Sequence, residues 1–180
     1  MKDLAAFRPF RRSRADRDAE SLLAAVTQIA RQPAFFGEGR APDTLQGRLE
    51  IMTLHACLAF VRLEAEAGAE PLAQAFADKL FRQFDSGLRE AGVGDLSVPK
   101  RMRRIARGFY GRVEAYAAAL RAGDSAALEA GLRRNVFAAS ANVDAFVSVL
   151  AAYLASTAVK QALAPLDALF GPDGWGPAPA

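Results

Sequence analysis

Few side chains in this 180-residue chain could carry reaction chemistry unaided. The one histidine, His55, and the one cysteine, Cys57, stand two positions apart. At about 100° per residue on a helix they point to nearly opposite sides, so they cannot hold one metal ion together. His55 lies at the edge of an apolar run and reads as a hydrogen-bonded core residue. Cys57 has no partner in the chain, which excludes a disulfide scaffold and suits a reducing compartment. No Glu-x-x-His offers a carboxylate metal site, and no Walker sequence or serine or cysteine nucleophile motif occurs. Gly92-Val93-Gly94 follows a helix rather than a strand, so these glycines read as helix-ending positions with positive φ. The expectation is a protein that is not an enzyme and that takes no metal and no cofactor.

Residues 97–112 carry a sharper pattern, with six basic side chains and no acidic one. On a wheel of about 100° per residue, Met102, Ile105, Phe109, Val113, Tyr116 and Leu120 form one broad apolar face. Lys100, Arg103, Arg104 and Arg107 lie opposite, Arg101 and Arg112 fall at the border, and Tyr110 lies at the side. Gly108, Gly111 and Ala115 form a strip of small residues beside the basic side. Glycine inside a helix costs about 1 kcal/mol relative to alanine, so two on one strip suggest that another backbone comes close. Two readings of the cations stand side by side. One is a solvated basic face; the other is a surface for nucleic acid, ribosomal RNA, lipid headgroups or an acidic protein.

The elements that position these residues follow from composition. Hydrophobic residues make up 52% of the chain, and 40 of them are alanine, the strongest helix former. Proline and glycine punctuate the rest into helices at about residues 18–31, 43–67, 71–91, 97–122, 125–138 and 142–163. Asp43 and Gln46 have capping-box spacing, Ser97 is placed to cap the helix that follows it, and Leu72, Phe76, Leu80, Phe84 and Leu88 make a stripe. No strand alternation and no internal repeat are found. The expected fold is all-α, a single bundle of about six helices, with the helix at 43–67 in its centre. Residues 1–17 read as a basic arm, 18–170 as the helical domain, and 171–180 as a flexible Gly/Pro tail with Trp175 able to dock.

Charge and hydropathy bear on location. The formal net charge is +3. Residues 1–17 hold six basic and two acidic side chains, so with 97–112 they sum to +10, and the other residues sum to −7. The molecule is polarised, and its local field matters more for partners than its total. Residues 145–159 carry no charge, yet a membrane span needs about 20 apolar residues, so a buried central helix is expected there. The arm lacks the apolar run of a secretory signal. A soluble, cytoplasmic protein is the expected setting.

Two sets of residues resemble a known family. One is Phe84-Asp85, Leu88-Arg89-Glu90, the run Gly92-Val93-Gly94-Asp95-Leu96-Ser97-Val98-Pro99-Lys100-Arg101-Met102, and Phe109-Tyr110-Gly111-Arg112. The other is Pro33-Ala34-Phe35-Phe36, Pro42-Asp43-Thr44 and Gly47-Arg48. In this combination the chain resembles the ubiquinol–cytochrome c chaperones, over about residues 18–160. The resemblance implies an all-helical assembly factor for the cytochrome bc1 complex. It further implies binding of newly made cytochrome b, a small partner subunit, and peripheral contact with the ribosome or an anionic membrane, with no DNA expected. Gly92, Gly94, Asp95, Lys100, Arg101, Arg103, Arg104, Arg107, Tyr110 and Arg112 are the expected partner-binding residues. The alternative is a nucleic-acid- or ribosome-binding helical module that uses the same basic helix at 97–112.

Overall fold

Helix-breaking residues cut the chain where the sequence places them. The computed structural model describes residues 13–138 and 142–179, so residues 1–12 of the basic arm lie outside the described residues. Six helices follow in order: α1 (Arg14–Ala30), α2 (Leu45–Glu64), α3 (Glu70–Glu90), α4 (Val98–Ala122), α5 (Ser125–Asn135) and α6 (Asp144–Leu163). Short 3-10 turns stand at Pro33–Phe35, Leu166–Phe170 and Pro172–Gly174. Among the described residues there is no strand, only an isolated bridge between Phe36 and Ala41. The fold is an all-α bundle.

Two helix starts differ from expectation. Helix α1 begins at Arg14 rather than 18, because Ser13 accepts the Asp16 N–H at 3.0 Å and carries the helix into the basic arm. Helix α2 is capped by Thr44, not Asp43. The Thr44 hydroxyl accepts the Gly47 N–H at 3.2 Å, while Asp43 pairs with Arg48 at 2.6 Å and Gln46 donates to Glu50 at 2.6 Å. Gly47 is required at this cap: a Cβ there would lie 1.9 Å from the Pro42 carbonyl oxygen.

Helix α2 is central. It packs against α1, α3, α4 and α6, and residues 50–59 are buried without interruption. The α3 stripe Leu72, Phe76, Leu80, Phe84 and Leu88 faces inward as its spacing requires. It meets an aromatic layer in which Phe60 and Phe76 lie 5.1 Å apart, and Phe81 and Phe109 5.3 Å apart. Such edge and tilted pairs add about 1 kcal/mol each beyond their burial.

Helix α6 is not the central helix that its charge-free run suggested. By length and composition it could cross a membrane, yet it packs one face on α2 and α5. Phe146, Val147, Leu150 and Leu154 are buried there, while Val149, Val159 and Leu163 on its other side are exposed. Small residues at Ala145, Ala152 and Ala155 keep that outer side thin, which is how a run without charges remains at the rim.

The Gly/Pro tail docks on the bundle through Trp175. Trp175 is buried, its Nε1–H donates to the Leu169 carbonyl at 3.3 Å, and Lys160 donates to the Trp175 carbonyl at 2.7 Å. Glycine permits the fold-back: a Cβ on Gly174 would meet the Ala168 carbonyl oxygen at 2.5 Å.

Candidate functional site

The two residues with most chemical potential are locked in the core. His55 is fully buried, its Nδ1 2.8 Å from the Ile51 carbonyl oxygen and its Nε2 3.0 Å from the Tyr153 hydroxyl. Phe35, Tyr153 and Trp175 surround the ring, with centroids 5.0, 5.7 and 5.9 Å away. Burial pulls its pKa down to about 4, against a smaller opposing effect of the Ile51 carbonyl, so the imidazole is neutral. Cys57 points the other way, toward the Val113 carbonyl on α4 at 3.7 Å. Burial pushes its thiol up to about 12, so it is not a thiolate nucleophile. These groups build the fold.

Helix α4 presents the charged face. Its inner side buries Phe109 and Tyr116, while Met102, Ile105, Val113 and Leu120 are partly covered. That one-sided burial turns Lys100, Arg101, Arg103, Arg104 and Arg107 outward. All five are exposed, and none is in a salt bridge among the described residues. Tyr110 is also exposed, at 57%, with its ring 5.9 Å from Phe81.

The remaining expected site residues divide. Arg112 does not belong to the outward face. It turns inward to Glu50, with its Nη2 2.9 Å from a carboxylate that is 3% exposed. Burial raises the Glu50 pKa, and Arg112 and then Gln46 pull it back toward the charged form. The small-residue strip serves this turn. A Cβ on Gly108 would lie 3.0 Å from Arg112 Nη1, whereas one on Gly111 would meet nothing within 4 Å. Among the described residues no second backbone lies within 4 Å of a Cβ at either glycine, so of the two sources the spacing allowed, this domain or a partner, the domain is not the one.

Gly92 and Gly94 have different roles. Gly92, at φ +78°, ends α3, and the Val93 N–H closes the turn on the Leu88 carbonyl at 3.0 Å. Gly94 has no positive φ; its carbonyl accepts the Ser97 N–H at 2.8 Å. Ser97 stands at the α4 N-cap, but its side chain makes no capping bond. Asp95 is held by Arg89, which also pairs with Asp85 at 2.7 Å, so the acid braces the turn. Leu96 projects from it at 98% exposure.

Sequence reasoning missed one feature. A groove of about 1060 Å³ runs between α1, the start of α2 and the end of α3. Leu23, Leu45, Leu49, Met52, Phe84 and Leu88 supply its apolar lining, and Arg31, Arg48, Glu20 and Glu90 stand around it. It joins segments from three places in the chain, so no local pattern announces it. The weak moment of α2, apolar on more than one side, is the nearest signal.

The two sets of residues that carried the resemblance meet around this architecture. Phe35 fills the space beside His55, Arg48 lies over the Phe36 ring at 5.2 Å, and Phe84 and Leu88 line the groove that Leu45 and Arg48 border. Comparison with known proteins agrees. Residues 38–170 match the family described as ubiquinol-cytochrome C chaperone. A crystal structure of the Cbp3 homolog from Brucella abortus is similar, with 38% identity, a TM-score of 0.76, and coverage of 89% of this chain and 88% of that one. Among curated proteins, no match was found. A family match spanning α2 to the turn after α6, and a solved relative of the same fold, lead to one conclusion: the chain belongs to the ubiquinol–cytochrome c chaperone family.

Proposed function

We propose that this protein chaperones assembly of the cytochrome bc1 complex by binding newly made cytochrome b, without catalysing a reaction. The supporting observation is the groove between α1, α2 and α3: large, and lined by leucine, methionine and phenylalanine. A multi-spanning client exposes apolar helices until its haems and partners are in place, and such a groove shelters apolar surface. The basic edge of α4 and the turn at residues 92–96 form the second working surface, turned toward an anionic partner. The protein works in the cytoplasm, peripheral to the inner membrane where that client is inserted. A small partner subunit fits the same scheme on the exposed edge.

Charge reversal at Arg103, Arg104 and Arg107 tests this reading. All three are exposed, so the domain keeps its fold while mature cytochrome b falls. Normal bc1 levels in that strain would sink the role assigned to this edge. Affinity capture from the native membrane fraction should recover cytochrome b, and its absence would remove it as the client. The five unpaired cations favour one other reading, a nucleic-acid- or ribosome-binding module. Salt-titrated binding to RNA and DNA tests it: a steep salt slope on nucleic acid would support this second reading, and undetectable binding would remove it.

A further inference from the structure

Leu96 is the most exposed large apolar residue described, at 98%, and its position relative to the cations is informative. Ser97 has helical backbone angles, φ −90° and ψ −25°, so Leu96 roughly continues the α4 spiral. At about 100° per residue, Lys100, Arg103, Arg107 and Tyr110 all fall within about 40° of Leu96. Arg104 lies at the flank of the same stripe. Leu96 and Tyr110 thus stand at its two ends, about 20 Å apart at 1.5 Å rise per residue, with the cations between them.

Among the described residues no salt bridge engages the cations of the stripe. Asp95 is tied to Arg89, and Arg112 is withdrawn to Glu50. Glu114 is the first acid on the same side, one turn beyond Tyr110. Gly111 adds no bulk, since a Cβ there would meet open space. The face therefore combines a projecting aliphatic side chain, a half-exposed tyrosine and a row of free cations.

We infer that this stripe of α4 docks flat on an anionic lipid bilayer, with Leu96 entering the headgroup–acyl boundary, Tyr110 at headgroup level, and Lys100, Arg103, Arg104 and Arg107 on lipid phosphates. The inference deepens the functional reading, resting on the assignment of the basic edge as a working surface, and names what that edge meets. Charge complementarity selects an anionic partner, and Leu96 selects lipid over RNA. An RNA partner uses cations and stacking aromatics, and gives a lone exposed leucine nothing to bury in. A bilayer interface accommodates all three residue types at the depths this face presents.

Flotation of the purified full chain with lipid vesicles tests the inference. The protein should float with vesicles of equal parts phosphatidylcholine and phosphatidylglycerol, and stay behind with phosphatidylcholine alone. Each cation near an anionic surface strengthens binding about fivefold, so Arg103→Gln with Arg107→Gln should weaken partitioning about 25-fold. Leu96→Ser should weaken it about three- to tenfold with no change in charge. All three positions are exposed, so circular dichroism and melting should match the unaltered protein. No flotation with anionic vesicles overturns the inference, as does Leu96→Ser binding like the parent. Arginine-dependent binding to structured RNA without vesicle binding overturns it in favour of the nucleic-acid reading. Loss of cytochrome b in the charge-reversal strain, with no vesicle binding by the purified chain, would overturn lipid docking while leaving the chaperone role intact.

Discussion

His55 shows how one residue sets a pH response for the whole fold. The Ile51 carbonyl can only accept, so the ring proton sits on Nδ1, and Nε2 accepts from the Tyr153 hydroxyl. The folded-state pKa is near 4 against an ordinary value of 6.5, so the neutral ring stabilises the fold above pH 6.5. As pH falls from 6.5 toward 4, the unfolded chain takes up a proton that the folded chain refuses, and about 3 kcal/mol is lost. Glu50 acts in the opposite sense, because its raised pKa favours protonation in the folded state. Urea midpoints measured across this window should fall for the parent and stay flatter for His55→Gln; parallel curves would refute the assignment. The Glu50–Arg112 pair supplies a second residue-scale test. Glu50→Ala strands the Arg112 guanidinium against buried surface and should cost about 3 kcal/mol in urea unfolding. Replacing both with apolar residues of similar size should recover most of that loss.

Helices, not single residues, explain which glycines matter. Gly47 lies where the chain from Pro42 turns into α2, and Gly47→Ala drives a methyl group into a carbonyl oxygen 1.9 Å away. The expected loss is about 2 kcal/mol or more, read as a lower melting temperature. Gly111 faces open space inside α4, so Gly111→Ala should raise stability by about 0.5–1 kcal/mol. If that variant is stabilised yet fails to support bc1 assembly, Gly111 keeps the outer face low for a partner. The same scale shows what was legible beforehand. Pro33, Pro71, Gly92 and Gly123 marked the helix ends because backbone geometry is local, and the α3 stripe was readable because its period is. The cations of α4 were found for the same reason. What escaped were choices made by tertiary contact. Thr44 caps in place of Asp43 once Arg48 claims the acid, and Arg112 abandons the basic face once Glu50 is buried beside it. The groove was invisible because three distant segments make it.

Across the whole molecule, charge and closure are arranged separately. The −7 balance outside residues 1–17 and 97–112 leaves the basic helix as the contrasting side of an otherwise acidic body, which orients the protein as it approaches an anionic partner. Closure is completed at the other end of the chain. The tail packs against His55 and Tyr153, so removing residues 171–180 should uncover both rings. That truncation should lower stability by about 3 kcal/mol, since a buried tryptophan and two side-chain–backbone hydrogen bonds go with it. An unchanged unfolding curve would show that the tail rests on the surface without supporting it. The docking also has an optical consequence. Trp175 is the one tryptophan, and its indole lies 5.9 Å from a ring that is neutral while the bundle is closed. Its emission should be blue-shifted and bright in the closed state, and should redden and dim as the tail lifts and the imidazole takes up a proton. The chain therefore carries its own fluorescent gauge of closure, readable without an added label.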